Sequence, residues 1–294
     1  MNKETIQVYI MTRNRLDTVT KAIDSVLSQT YPKIELIVSD NSTNNSTYNL
    51  LSPYFGRINY IRRCPTYESG IEHINAIIKE ATSDYFMIFH DDDEMLPEMV
   101  EALYETIRKE DAVAVASNAW VVHDYKSKSL YYSRKDSVIK TTDEMVRRYS
   151  ECGTAPFPAY MYNKKLIDGL YLDWRHGHKY CDASFIVDLS KRGSISLIGK
   201  PLMNCNIHPG QDSQTLDFIG HVSLTNYLLS IVLDRQVVNG LRIYHIYNNA
   251  VEDYNKRRIH FNRRVAAVLF KYSPKDFFPK YIIRLLQSTV YTHV

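Results

Sequence analysis

At 294 residues the chain is long enough for one large domain, or for a domain with an appendage. Its 45% hydrophobic and 23% charged residues are those of a soluble globular protein. The formal net charge of +3 is unevenly spread: residues 218–294 carry 11 Lys and Arg against 4 Asp and Glu, whereas residues 1–217 carry 25 against 29. An acidic body suits a site that needs a cation, and a basic tail suits an anionic surface. Four scattered cysteines (Cys64, Cys152, Cys181, Cys205) form no CxxC pair, which argues against a disulfide framework or a zinc site. The opening MNKETIQVYIMTRN has no apolar stretch long enough for a signal peptide, and nothing approaches the ~20 apolar residues of a membrane span. The expected compartment is the reducing cytoplasm.

In chain order, Ile6–Met11 reads as a buried strand, and Leu16, Val19, Ile23, Val26 and Leu27 recur at helical spacing. Ile34–Ser39 is a second strand, followed by the polar loop DNSTNNST, and Ile58–Ile61 a short third. Ile71, Ile74, Ile77 and Ile78 mark a helix, YFMIFH a fourth strand, and Pro97 the first position of the next helix. Ala112–Ser117 is a fifth strand. Such alternation predicts βαβ units and a mostly parallel sheet, with ligands beyond the carboxyl ends of its strands. Three of those ends are polar and should converge: Thr12-Arg13-Asn14, Asp40-Asn41-Ser42 and Asp91-Asp92-Asp93.

Further on, WVVHDY and SLYYSRK suggest a hairpin, TTDEMVRRY a capped helix, and GTAPFPAYMYN a loop or short strand lining a site. Residues 182–192 read as a helix stopped by Gly193, and SISLIG and PLMNCNIH as two short strands. After PGQDSQT the chain is helical and Tyr-rich, and basic clusters at Lys256-Arg257-Arg258 and Arg263-Arg264 lie beside apolar runs. That region is either a packing arm or an attachment to anionic lipid at the inner face of the membrane. It offers no stacking motif or recognition helix for nucleic acid.

Three carboxylates directly after an apolar strand exceed what a helix N-terminus needs, and point to a hard cation, Mn²⁺ or Mg²⁺, shared with substrate phosphates. Asp40 suits an Asx-turn or a nucleotide contact equally well. Arg15 suits a solvated charge as well as a nucleotide contact, Asp182 is well placed as an N-cap, and His208 ends an apolar strand where it could serve a ligand. Trp174, His176 and His178 fit an exposed loop over a substrate site, where rings can stack on sugar faces, better than a His-x-His metal site.

Together, IQVYIMTRNRLDTVTKAIDSVLSQTYPKIELIVSDNST, IEHINAIIKEAT and YFMIFHDDDEMLPEMV resemble the family 2 glycosyltransferases over about residues 5–120. The resemblance implies an α/β GT-A fold, Rossmann-like, with a mostly parallel central sheet flanked by helices and a C-terminal helical extension. It implies a domain over 1–215, with a nucleotide-sugar half at 1–117 and an acceptor half at 118–215. The remaining 216–294 would be a basic, Tyr-rich helical region. Thr12 and Asp40, with Arg13, Asn14 and Asn75, would contact a nucleotide, usually uridine. Asp91 and Asp93 would be the Asp-x-Asp pair, with Asp92 near the ribose and Asp93 the first choice as metal ligand. Many relatives have Asp where this chain has His90. Asp182 would be the catalytic base, although Cys181 stands where the family has Glu. His208 would assist the metal or diphosphate, although Asn206 replaces the family's Arg. The implied activity is metal-dependent, inverting hexosyl transfer from a UDP-sugar to a glycan or lipid-linked glycan acceptor in surface-glycan synthesis. The alternatives are a nucleotidyltransferase with a similar acidic site, disfavoured because MTRNRLD has no glycine, and a non-catalytic nucleotide-sugar-binding protein of the same fold.

Overall fold

The structure is a computed structural model that describes residues 3–123, 127–208, 217–238 and 240–241. The basic clusters and the apolar runs of the tail lie outside the described residues, as do the PGQDSQT segment and residues 124–126.

Strand β1 (Ile6–Thr12) leads into helix α1 (Val19–Leu27), and β2 (Ile34–Asp40) into α2 (Ser46–Leu51). Strand β3 (Asn59–Arg62) precedes α3 (Gly70–Glu80), whose start carries a full capping box between Ser69 and Glu72. Strand β4 (Tyr85–His90) and the two-residue β5 (Glu94–Met95) come before α4 (Met99–Glu110). Glu98 caps α4 and Met99 is its first residue, so Pro97 lies two places before the first helical position expected of it. Strand β6 (Ala114–His123) pairs with β7 (Ser127–Leu130) as the expected hairpin, and β8 (Ser137–Ile139) leads to α5 (Thr142–Cys152). Strand β9 (Tyr160–Asn163), helix α6 (Cys181–Leu189), strand β10 (Ile195–Ile207) and helix α7 (Phe218–Ile231) complete the described elements. No described helix is long and apolar enough to cross a membrane.

One ten-stranded sheet runs in the order β3-β2-β1-β4-β9-β6-β10-β5, with β7 beside β6 and β8 beside β10. Strands β1 to β4 are mutually parallel, and β6 and β10 are parallel to each other. Strand β9 is antiparallel to both its neighbours, β4 and β6. β1 and β4 are covered on both faces, which is why they read as continuous apolar runs. Strand β6 crosses residue 117, so the two expected halves share one sheet.

Two further expectations fail. SISLIG and PLMNCNIH form one strand, because register shifts between Ile198, Pro201 and Met203 absorb the glycine and proline that read as breakers. Helix α6 ends at Leu189, short of Gly193, with Ser190 at its C-cap.

Candidate active site

The register makes the site. Thr12 pairs with Asp40 and Asp40 with Arg62, so three strands end level, and Met11 pairs with His90 on the other side. Asp40 is fully buried. Its Oδ1 accepts the Ser42 backbone N–H at 2.8 Å, the expected Asx-turn, and Oδ2 accepts from the Tyr60 hydroxyl at 2.5 Å and Arg62 at 3.1 Å. The carboxylate is turned inward, and Arg62 extends its influence to a cavity of about 680 Å³ just past β3.

Tyr67 stands on a prepared support in that cavity. Asn41 grips its backbone from both sides, donating to its carbonyl at 3.0 Å and accepting its N–H at 2.8 Å. The ring stacks on His73 at 5.7 Å, and the Arg63 guanidinium lies 5.9 Å from its centroid. Arg63 Nε donates to the Ser39 hydroxyl at 2.8 Å, which leaves that hydroxyl's proton for His73 Nε2 at 2.6 Å. His73 is therefore a neutral acceptor; burial, reinforced by Arg63, lowers its pKa to about 4. Tyr67, Arg63 and His73 were not singled out from the sequence, and Asn41 only as part of the polar end of the second strand. The available signal was RRCPTYESG, a cationic and aromatic stretch between a strand and a capping box.

The acidic loop follows β4. The strand ends at His90 and residues 91–92 are a turn, so strand alternation stops and the three carboxylates diverge. Asp92 Oδ2 accepts from Arg15 at 2.6 Å and lies 3.0 Å from His208 Nε2. Asp91 Oδ1 lies 3.8 Å from Arg15 Nε. Asp93 Oδ1 accepts the Asn206 backbone N–H at 3.0 Å, and the Asn206 amide donates to the Asp92 carbonyl at 2.7 Å. The short pairing of β5 with β10 holds this loop against Asn206.

Burial raises the Asp91 carboxyl to about 6, against the Thr12 hydroxyl and Arg15. Burial and the charge of Asp92 push Asp93 well above the usual carboxylate range. Burial also works against the charge of Asp92, but His90, His208 and Arg15 outweigh it and hold Asp92 low. Burial lowers the proton affinity of His90, which stacks on Phe157 at 6.1 Å.

Among the described residues, the one group able to share an ion is His90, Asp92 and Asp93, whose ligand atoms lie within 4.8 Å of one another. Of the metal ligands expected, Asp93 belongs to this group; Asp91 faces Arg15, and His208 faces Asp92. Arg15, read from sequence as a solvated charge as readily as a contact, is the cation folded over the acidic loop.

Other expected residues sit around this edge. The exposed Arg13 guanidinium reaches the Glu68 carbonyl at 3.4 Å, at the cavity rim. Asn14 takes a left-handed φ of 57° and joins two loops, accepting from Thr43 N–H at 3.0 Å and donating its N–H to Ser42 Oγ at 2.8 Å. Asn75 clamps the Leu172 backbone, donating at 2.9 Å and accepting at 2.8 Å. Asp182 is not the cap expected of it but the second residue of α6, two places past the N-cap Tyr180, and accepts the Ala183 N–H at 2.8 Å. Burial raises its pKa to about 6. A ladder of rings connects its helix to the acidic loop: Phe185 to Phe157 at 6.4 Å, then Phe157 to His90.

The profile of glycosyl transferase family 2 matches residues 7–170. The chain belongs to glycosyl transferase family 2. The family match thus covers the strand ends, the cavity and the acidic loop, while Asp182 and His208 lie beyond it. An uncharacterised glycosyltransferase of Rickettsia felis is 29% identical over 139 residues, 46% of this chain and 22% of that protein. Glycosyltransferase GlyG of Streptococcus pneumoniae is 26% identical over 117 residues, 39% of each. The chain spans less than half the length of these curated relatives. Staphylococcus aureus TarS 1–349, solved with UDP-GlcNAc, is 14% identical with a TM-score of 0.67 over 91% of this chain and 80% of that one. This likeness supports the family's mixed α/β GT-A-like fold.

Proposed function

We propose that this family 2 chain is an inverting, metal-dependent glycosyltransferase, moving a sugar from a UDP-sugar to an acceptor hydroxyl in surface-glycan synthesis. One observation carries the reading: strands β1 to β3 end level and β4 ends one residue short of them, so the cavity holding Tyr67 and the acidic loop share one sheet edge. The bound UDP-GlcNAc of TarS, a protein of the same fold, supports a uridine donor.

In this reading the base stacks on Tyr67, whose ring is fixed from below by His73 and from behind by Asn41. Arg62 lines the cavity, Arg13 reaches its rim at Glu68, the buried Thr12 ends the neighbouring strand, and Asp40 acts by holding Arg62 and Tyr60. Two carboxylates and an imidazole suit a divalent cation that takes oxygen ligands and tolerates nitrogen, Mn²⁺ ahead of Mg²⁺. The raised carboxyl of Asp93 fits the same conclusion, since a nearby cation would relieve the crowding that raises it. His90, Asp92 and Asp93 would hold the ion. When bound, it supplies positive charge to the leaving diphosphate. Arg15 adds a fixed positive charge beside it. Asp182 removes the acceptor proton, an effect worth ~10²–10⁴-fold, and a single base opposite the leaving group gives inversion.

The nucleotidyltransferase reading has no support in the loop after β1, which is Thr-Arg-Asn-Arg and lacks glycine. A thermal-shift screen of nucleotide sugars with Mn²⁺ tests the proposal. One UDP-sugar should stabilise the protein above all others, with the gain lost on chelation, and its slow hydrolysis should be measurable. Equal, negligible shifts from every nucleotide sugar would overturn it.

A further inference from the structure

A second cavity, of about 520 Å³, lies across the Asn75–Leu172 clamp from the one that holds Tyr67. Asn75 borders both. The second cavity is formed by α3, the loop at 169–176 and Asp188 of α6, and its size is that of a small-molecule site.

Trp174 dominates its wall. The residue is 51% exposed, an uncommon state for so large an apolar ring. It is nevertheless held in a fixed orientation. His178 stacks flat on the indole, with centroids 4.8 Å apart and planes 2° apart, and Asp217 holds His178 at 3.3 Å. Asp173 caps the turn under Trp174 by accepting the Arg175 N–H at 2.9 Å. The loop's ends are set by Gly169 and Gly177, whose φ values of 73° and 133° are open to glycine. An oriented ring with one covered face and polar groups around it matches the chemistry of a sugar, whose C–H face is apolar and whose rim is hydroxylated.

The charges narrow the class. Arg175 donates to both oxygens of Asp173, with the shorter contact 2.6 Å. Asp188 is paired with Lys191 at 2.6 Å and accepts the Tyr227 hydroxyl at 2.5 Å. Among the described residues, each charge lining the cavity has a partner within the protein, so a phosphorylated ligand would have to compete with Asp173 for Arg175. The position also constrains an acceptor. Asp188 and Asp182 share α6, six residues apart, about 9 Å along its axis and about 120° apart around it, so an acceptor seated at Asp188 would have to wrap part of the helix to reach Asp182.

We propose that this cavity is a subsite for a neutral sugar unit of the acceptor, with Trp174 as its stacking platform. The proposal rests on the glycosyltransferase reading above. The chain has two tryptophans, so Trp120→Phe leaves Trp174 as the single reporter. In that background, methyl glycosides of glucose, galactose and N-acetylglucosamine are titrated without nucleotide while indole emission is followed, with glycerol phosphate as the anionic comparison. At least one neutral glycoside should change the emission saturably, and glycerol phosphate should not. With that sugar as acceptor, Trp174→Ala should raise the acceptor KM about tenfold and Trp174→Phe less, with the UDP-sugar thermal shift unchanged in both. Silence from all three glycosides, an unchanged acceptor KM in Trp174→Ala, or a change confined to donor binding would each overturn the subsite. A wild-type protein that no UDP-sugar stabilises would instead overturn the reading on which the subsite rests.

Discussion

Asp182 is a carboxylate whose surroundings keep it ready to accept a proton near neutral pH. Its pKa of about 6 places the ionised form in the majority only above that pH, so turnover should climb as pH rises through about 6. Asp182→Asn should lower kcat by ~10²–10⁴-fold and abolish that limb while keeping the donor-dependent thermal shift; unchanged turnover would remove Asp182 from the mechanism. Stability should move the other way. An unfolded Asp titrates near ~3.9, so between about 4 and about 6 the native state binds more protons than the unfolded chain. The wild-type protein therefore loses stability across that window as pH rises. Asp182→Asn should melt higher than wild type at pH 7.5, with the gap closing below pH 4.

Arg15 is the second residue whose loss should be visible. Arg15→Met leaves Asp91 and Asp92 without their nearest guanidinium, at a cost of about 1–3 kcal/mol. Urea titration should show it, and Mn²⁺ should restore more stability to the variant than it adds to wild type. Three aspartates behind an apolar strand were legible in the sequence because such crowding is rare. Arg15 was not, because TRNR offers two arginines. The left-handed turn at Asn14, which sequence alone does not set, lies between them.

At the level of elements, β1, α1, β2, β3, α3, β4 and α4 were readable, the strands β1 and β4 most clearly because they are short runs buried on both faces, whereas α2 and the two-residue β5 were not. Reading failed where local punctuation and tertiary structure disagreed. In β10 the bulge accommodates Gly199 and Pro201, and Gly199 is there for space: a Cβ at that position would lie 2.1 Å from the Arg134 carbonyl oxygen. Gly199→Ala should cost about 3 kcal/mol or more, read as a lower urea midpoint. The capping box of α3 makes a gentler test, because Ser69→Ala should cost about 1 kcal/mol. It should also weaken UDP-sugar binding, since the first turn of α3 lines the cavity of Tyr67. Tyr67 itself was illegible because its support comes from Asn41 and His73, 26 and 6 residues away in sequence.

For the whole molecule, the family and the acidic edge were readable, whereas the sharing of one sheet between the two expected halves was not. A boundary drawn at 117 would cut through β6 and strip β4 of its partner β9. A fragment of residues 1–117 should therefore associate or precipitate, while 1–241 remains monodisperse on gel filtration; a well-behaved, cooperatively unfolding 1–117 would show the halves to be independent.

The inverted strand β9 also bears on how the chain is made. The outer edge of β4 is complete once His90 has emerged from the ribosome, but the strand that covers it begins at Tyr160. At 5–20 residues per second the intervening stretch of roughly 70 residues takes roughly 4–14 s. During that interval the unpaired backbone edge of a largely apolar strand is uncovered, so nascent chains stalled in this window should be the form of the protein most prone to associate and most dependent on chaperones.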